Sequence, residues 1–166
     1  MHIVSSAPSL MVMSFRLGEE AFALPAERVR GVAANARTTR VPGAPAWYDG
    51  VLPWRGHLVP VLNVARRLGL PEAESGVVVL VEAGGELVGL RVEAMVSADP
   101  VIVTDVEAIT GAAGCAKGLG RLGDRRVVVL EPDALLTAPA PVAPFPAVAD
   151  RPQSRPADGR RGAKRA

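Results

Sequence analysis

The chain has 166 residues, 49% of them hydrophobic but only 4% aromatic, and a formal net charge of +2. That length holds one domain of ordinary size plus a tail, with a core that Val, Leu and Ala must carry. Residues 137–166 hold six Lys or Arg against two acidic residues, an excess of +4, so the remainder sums to −2. A nucleic-acid groove needs clustered cations on a folded surface, and the domain does not offer them. No apolar run approaches the roughly 20 residues of a membrane span. The amino terminus lacks the basic start and long apolar stretch of a secretory signal. Cys115 is the sole cysteine, which excludes an internal disulfide and fits a reducing cytoplasm.

In chain order, residues 1–10 read as a disordered leader. Apolar residues at 11–17 and 21–24 flank Gly18-Glu19-Glu20 and predict a hairpin. Pro25 suits the first turn of a short helix reaching Val29, and 29–34 returns to strand. Residues 38–45 form an extended loop, because Pro42 and Pro45 forbid regular pairing, and 44–48 suggests one helical turn.

The next fourteen residues are the most informative: Gly50-Val51-Leu52-Pro53-Trp54-Arg55-Gly56-His57-Leu58-Val59-Pro60-Val61-Leu62-Asn63. Two apolar runs flank the turn pair Arg55-Gly56, and Gly56 permits a positive φ at the corner. Asn63 caps a short helix through Leu68, stopped at Gly69 and Pro71. Residues 77–82 and 86–92 make a second hairpin about Ala83-Gly84-Gly85. The apolar stretch 95–103 is interrupted by Pro100 and reads as an edge or bulged strand. Residues 127–131 form a buried strand and 132–136 a last helical turn. Beyond Thr137, six prolines and two glycines leave too little apolar surface to offset the entropy of ordering, so the tail reads as disordered. Many short strands with brief helices imply a mostly-β domain with barrel-like closure.

The candidate chemistry is sparse. Gly118-Leu119-Gly120-Arg121-Leu122-Gly123 fits G-x-G-x-x-G, but a dinucleotide site needs a helix after the glycines, and here a strand follows. A glycine-rich hairpin loop is the favoured reading. His2 lies in the leader and His57 stands alone beside a turn, so no two-histidine metal site forms. His57 reads as solvent-facing, and Cys115 as a small buried or loop thiol without an activating partner. Glu19-Glu20, Glu72 and Glu74 read as solvated carboxylates. The run Arg160-Arg161-Gly162-Ala163-Lys164-Arg165 has no interleaved aromatic for base stacking. It reads as a solvated tail, with weak electrostatic contact to a membrane or partner as the alternative.

Five segments in order carry a resemblance to the CheW-like family, the adaptors that couple chemoreceptors to a sensor histidine kinase. They are Phe15-Arg16-Leu17-Gly18 with Ala21-Phe22-Ala23-Leu24; Thr39-Arg40-Val41-Pro42 with Pro45; the Gly50 to Asn63 hairpin; Val88-Gly89-Leu90-Arg91-Val92-Glu93; and Gly118-Leu119-Gly120 with Gly123-Asp124-Arg125 and Val128-Val129-Leu130. The resemblance covers residues 11–136. It implies two SH3-like five-stranded β-barrel subdomains built from interleaved segments, with short helices, and a non-enzymatic adaptor without cofactor or metal.

The implied partners are a CheA-type kinase regulatory domain and a chemoreceptor tip, reached at receptor arrays on the inner membrane. By family position, Met13, Ala26 and Val29 line a receptor groove. Thr39, Arg40, Val41, Pro42 and Gly50 lie near the kinase contact. Arg55, Gly56 and Asn63 serve the architecture. Gly31 stands where the family commonly has a polar or acidic partner for the signature arginine, so Arg55 must turn to backbone carbonyls or Glu27. Pro53-Trp54 and Asn63 also depart from the family pattern. These departures leave a regulator of another two-component pathway, such as twitching or development, as the runner-up, and a nucleotide-binding enzyme as a third reading.

Overall fold

A computed structural model describes residues 9–34, 36–72, 76–97, 99–109 and 114–137. The expectations for the leader and the tail fall outside the described residues, except that Leu10 already belongs to the first strand and Thr137 to the last helix.

The first sheet contains β1 (Leu10–Leu17), β2 (Glu20–Pro25), β8 (Ala94–Met95), β9 (Val101–Glu107), β10 (Ala116–Leu122) and β11 (Arg125–Leu130). Its order is β2-β11-β10-β9-β1-β8, and β1 also pairs with β2, so five strands close on themselves. The second sheet contains β3 (Val29–Ala34), β4 (Tyr48–Trp54), β5 (His57–Asn63), β6 (Val77–Ala83) and β7 (Glu86–Val92), in the order β3-β6-β7-β5-β4. The chain starts in the first unit, builds the second, and returns. This is the interleaved pair of five-stranded units that the sequence led us to expect.

Alternation explains the layering. Inward residues Val12, Ala23, Val103, Val127 and Val129 fill the first barrel. Leu52, Val59, Val61, Val78 and Leu80 fill the second. The outward residues do not all face water, because the largest cluster lies between the units. Phe15 and Phe22 stack there with centroids 5.9 Å apart, alongside Leu24, Leu62, Leu90 and Leu130. Helix α1 (Val64–Leu68) and α2 (Pro132–Thr137) add Leu68 and Leu135 to the same joint core.

The hairpins of the sequence reading stand where expected, and Asn63 Oδ1 accepts from the Arg66 amide at 3.0 Å to cap α1. Three details differ. Residues 44–48 are a reverse turn rather than a helical one: the Tyr48 amide donates to Pro45 O at 3.0 Å, and Tyr48 already pairs with Leu62. The stretch 95–103 splits into β8 and β9, both on one edge of β1. Phe15 faces Met95 and Val12 faces Val101, so the register shifts by three residues between the two pairings. Finally, Gly118 and Gly120 lie inside strand β10, not in a loop. A Cβ on Gly120 would stand 2.1 Å from Val103 Cγ1, so the glycines serve close strand packing, and only Gly123-Asp124 turns.

Candidate functional site

The outer face of β1 links the joint core to solvent. Phe15 and Leu17 on this face are buried beneath the second unit, Met13 is 8% exposed, and Met11 is 52% exposed. Met11 pairs with Ile102, itself 56% exposed, and Met13 pairs with Leu24. The chain leaves β2 at Pro25, opposite Val12, and enters a 3-10 turn, Ala26–Arg28. Ala26 is half-buried, and Val29 packs against the joint core. Pairing therefore gathers Met13, Ala26 and Val29 at the junction of the two units, with Met13 and Val29 more enclosed than a freely open groove would leave them.

Arg28 ties this turn to both units. Its guanidinium donates to Glu82 O at 3.1 Å and to both carboxylate oxygens of Asp133, at 3.4 and 3.2 Å. Glu131 lies 3.9 Å away. Asp133 Oδ1 also accepts from the Gly84 amide at 2.8 Å. That amide bond, then Arg28, holds the Asp133 carboxyl below the usual carboxylate range, while Asp133 raises the Arg28 pKa.

The loop expected at the kinase contact is exposed at Thr39, Arg40, Val41 and Pro42. Thr39 exchanges two backbone hydrogen bonds with Val51, each 2.9 Å. Gly50 is buried beneath that bridge with φ 138°, and a Cβ there would stand 2.1 Å from Thr39 O. Gly50 thus acts by letting the loop lie down, not by offering a surface. Asp49 anchors the base of the loop through ion pairs to Arg91 and to Arg66, the latter at 3.4 Å. Arg66 is also held by Glu72 at 2.8 Å, and that bond is the main cause of its raised pKa. Glu72, expected to be merely solvated, bonds the Asn63 side chain as well.

At the hairpin corner, Arg55 has φ 46° and Gly56 φ 82°. Two successive positive φ values match a type I′ turn. The expected hydrogen bonds from Arg55 to carbonyls are not formed. Its exposed guanidinium lies 5.2 Å from the Trp54 ring centroid and, among the described residues, meets neither Glu27 nor a carbonyl. Trp54 in turn covers Gly31, where a Cβ would stand 3.2 Å from the ring and press against it.

Sequence reasoning missed Arg67, which is wholly buried, donates to Leu135 O at 2.8 Å and lies 5.6 Å from the Trp47 centroid. No local pattern marks it, because its partners come from α2 and a distant loop. His57 is exposed, as expected. Cys115 is buried, and burial pushes its thiol pKa up, which suits a structural thiol. Among the described residues, no group of three or more His, Cys, Asp and Glu is placed to hold a metal ion, and no helix is long and apolar enough to cross a membrane.

A family model described as the CheW-like domain matches residues 11–140. The probable chemotaxis protein CheW of Rhizobium etli is 26% identical over 139 residues, covering 76% of this chain and 86% of the relative. The chemotaxis protein CheW of Klebsiella aerogenes is 26% identical over 132 residues, covering 75% and 80%. The crystal structure of the scaffolding protein TtCheW from Thermoanaerobacter tengcongensis superposes with a TM-score of 0.70 at 21% identity. It covers 78% of this chain and 94% of that one, a likeness of fold.

Proposed function

The chain belongs to the CheW-like family and is a chemotaxis scaffold of that type, and we propose on this premise that it couples chemoreceptors to a CheA-type histidine kinase. The family works by scaffolding rather than catalysis. The coupling takes place in the cytoplasm, at receptor arrays on the inner membrane.

The observation that carries this reading is the graded face of β1. An apolar strip runs from exposed Met11 and Ile102, past Met13, to the buried Phe15 and Leu17 at the junction of the two units. A helical receptor tip can lay an apolar stripe on such a face and find Ala26 and Val29 beside it. The kinase regulatory domain has a separate place to bind, the exposed Thr39–Pro42 loop braced from below by Gly50 and Asp49. Gly56 turns the β4–β5 hairpin, and Asn63 caps the helix that follows it.

The test is a binding experiment with two purified partners from the same organism, a receptor cytoplasmic fragment and a kinase regulatory domain. The wild-type chain should bind both together, and Val29→Met should weaken receptor binding several-fold while folding and kinase binding persist. Failure to bind both partners overturns the coupling. Intact receptor binding by a folded Val29→Met returns Val29 to the core.

A further inference from the structure

The 3-10 turn Ala26–Arg28 has little of its own to hold it. None of its residues is buried, and no side chain caps its start. Two side chains fix it: Arg30 donates to Glu27 O at 2.7 Å, and Arg28 crosses the junction to Glu82 O on β6 and to Asp133 on α2. Asp133 Oδ1 also accepts from the Gly84 amide in the β6–β7 turn. Helix α2 is anchored in turn by buried Leu135, whose carbonyl accepts from Arg67 of α1. One continuous chain of bonds therefore runs from α1 through α2 to Arg28, the residue next to Val29.

We propose that the Arg28–Asp133 pair is a positioning clasp: it sets where Ala26 and Val29 sit against the outer face of β1, and so tunes receptor affinity. The inference rests on the reading above and names residues that act through the groove rather than within it. Arg28 and Asp133 have side chains 32% and 45% exposed, so solvent screens the pair and folding depends on it little. Binding depends on it more, because a partner helix must match both rims of the junction at once. Loss of the clasp lets the turn shift relative to β1, and the partner must then spend binding energy on restoring it.

The experiment uses the full chain with Arg28→Gln, Asp133→Asn and the double substitution. Asn at 133 keeps an acceptor for the Gly84 amide, so the change falls on the link to Arg28. Each single variant should bind the receptor fragment about three- to tenfold more weakly, and the double variant no more weakly than the worse single, since both break one link. Kinase-domain affinity should stay within about twofold, a readout that a general structural defect would not spare. Singles that bind the receptor fragment like wild type, additive losses in the double variant, or parallel loss of both partners each overturn the clasp. A wild-type chain that ignores the receptor fragment overturns the coupling reading itself, and the clasp with it.

Discussion

The indole of Trp54 occupies the space that a side chain at Gly31 would need: a Cβ built on Gly31 would stand 3.2 Å from Trp54 Cζ2. Gly31 lies in β3 and Trp54 in β4, the two ends of the second sheet's strand order. The contact therefore helps bring the open ends together, with the Thr39–Val51 bridge as a second tie. The two departures from the family pattern are one packing solution, not two unrelated losses.

This makes Gly31 and Trp54 energetically coupled. Gly31→Glu should cost about 1–2 kcal/mol in the wild-type background, because the ring must shift to admit the added side chain. In a Trp54→Leu background the cost should nearly vanish, and the new carboxylate becomes free to meet Arg55. Urea denaturation of the four proteins gives the cycle. Equal costs in both backgrounds would show that the contact has no energetic content.

Arg55 and Gly56 divide the work of the corner unequally. Among the described residues the Arg55 guanidinium has only the Trp54 face, so Arg55→Ala should cost less than about 1 kcal/mol, the scale of an exposed cation–π contact. Gly56 carries a φ of 82°, which an L residue adopts only with strain. Gly56→Ala should therefore cost more than Arg55→Ala, about 1–2 kcal/mol. Thermal or urea melts decide the order of the two, and the reverse order would restore a hydrogen-bonding role to Arg55.

What the sequence made legible is what neighbours decide. Apolar runs around Arg55-Gly56 and Gly84-Gly85 mark hairpins because turn chemistry is local, and Asn63 marks a helix start for the same reason. Arg67 and Asp133 gave no such signal. Asp133 finds Arg28 across 105 positions and Arg67 finds Leu135 O across 68, so only the closed fold reveals either bond. Gly118 and Gly120 misled for a related reason. Their lack of a side chain answers crowding from Val103, Val106 and Glu107 on β9, which a reading for turn or phosphate motifs does not weigh.

Gly50 offers a way to move one surface without the other. A methyl group at 50 would collide with Thr39 O, and the φ of 138° is itself strained for alanine. Gly50→Ala should destabilise the domain by about 2 kcal/mol and displace the Thr39–Pro42 loop. Calorimetric titration should then show weakened binding of the kinase regulatory domain with receptor-fragment binding retained. Unchanged kinase binding by the folded variant would detach that loop from the kinase contact.

Acid should loosen the junction through Asp133. The Gly84 amide, then Arg28, keeps its folded-state pKa below the unfolded value of about 4. A depressed pKa stabilises the fold fully above the unfolded value, and that stabilisation is lost as pH falls through the folded one. Arg28 stays cationic throughout, its own pKa being raised. Glu131 and Glu27 face the same guanidinium, so wild type alone cannot report on Asp133. Comparison with Asp133→Asn removes them, because both proteins carry them. The difference in melting temperature between wild type and Asp133→Asn should be steady at neutral pH and shrink as the pH is lowered below about 4. A difference that stays constant on acidification would mean that Arg28 needs the shape of residue 133 rather than its charge.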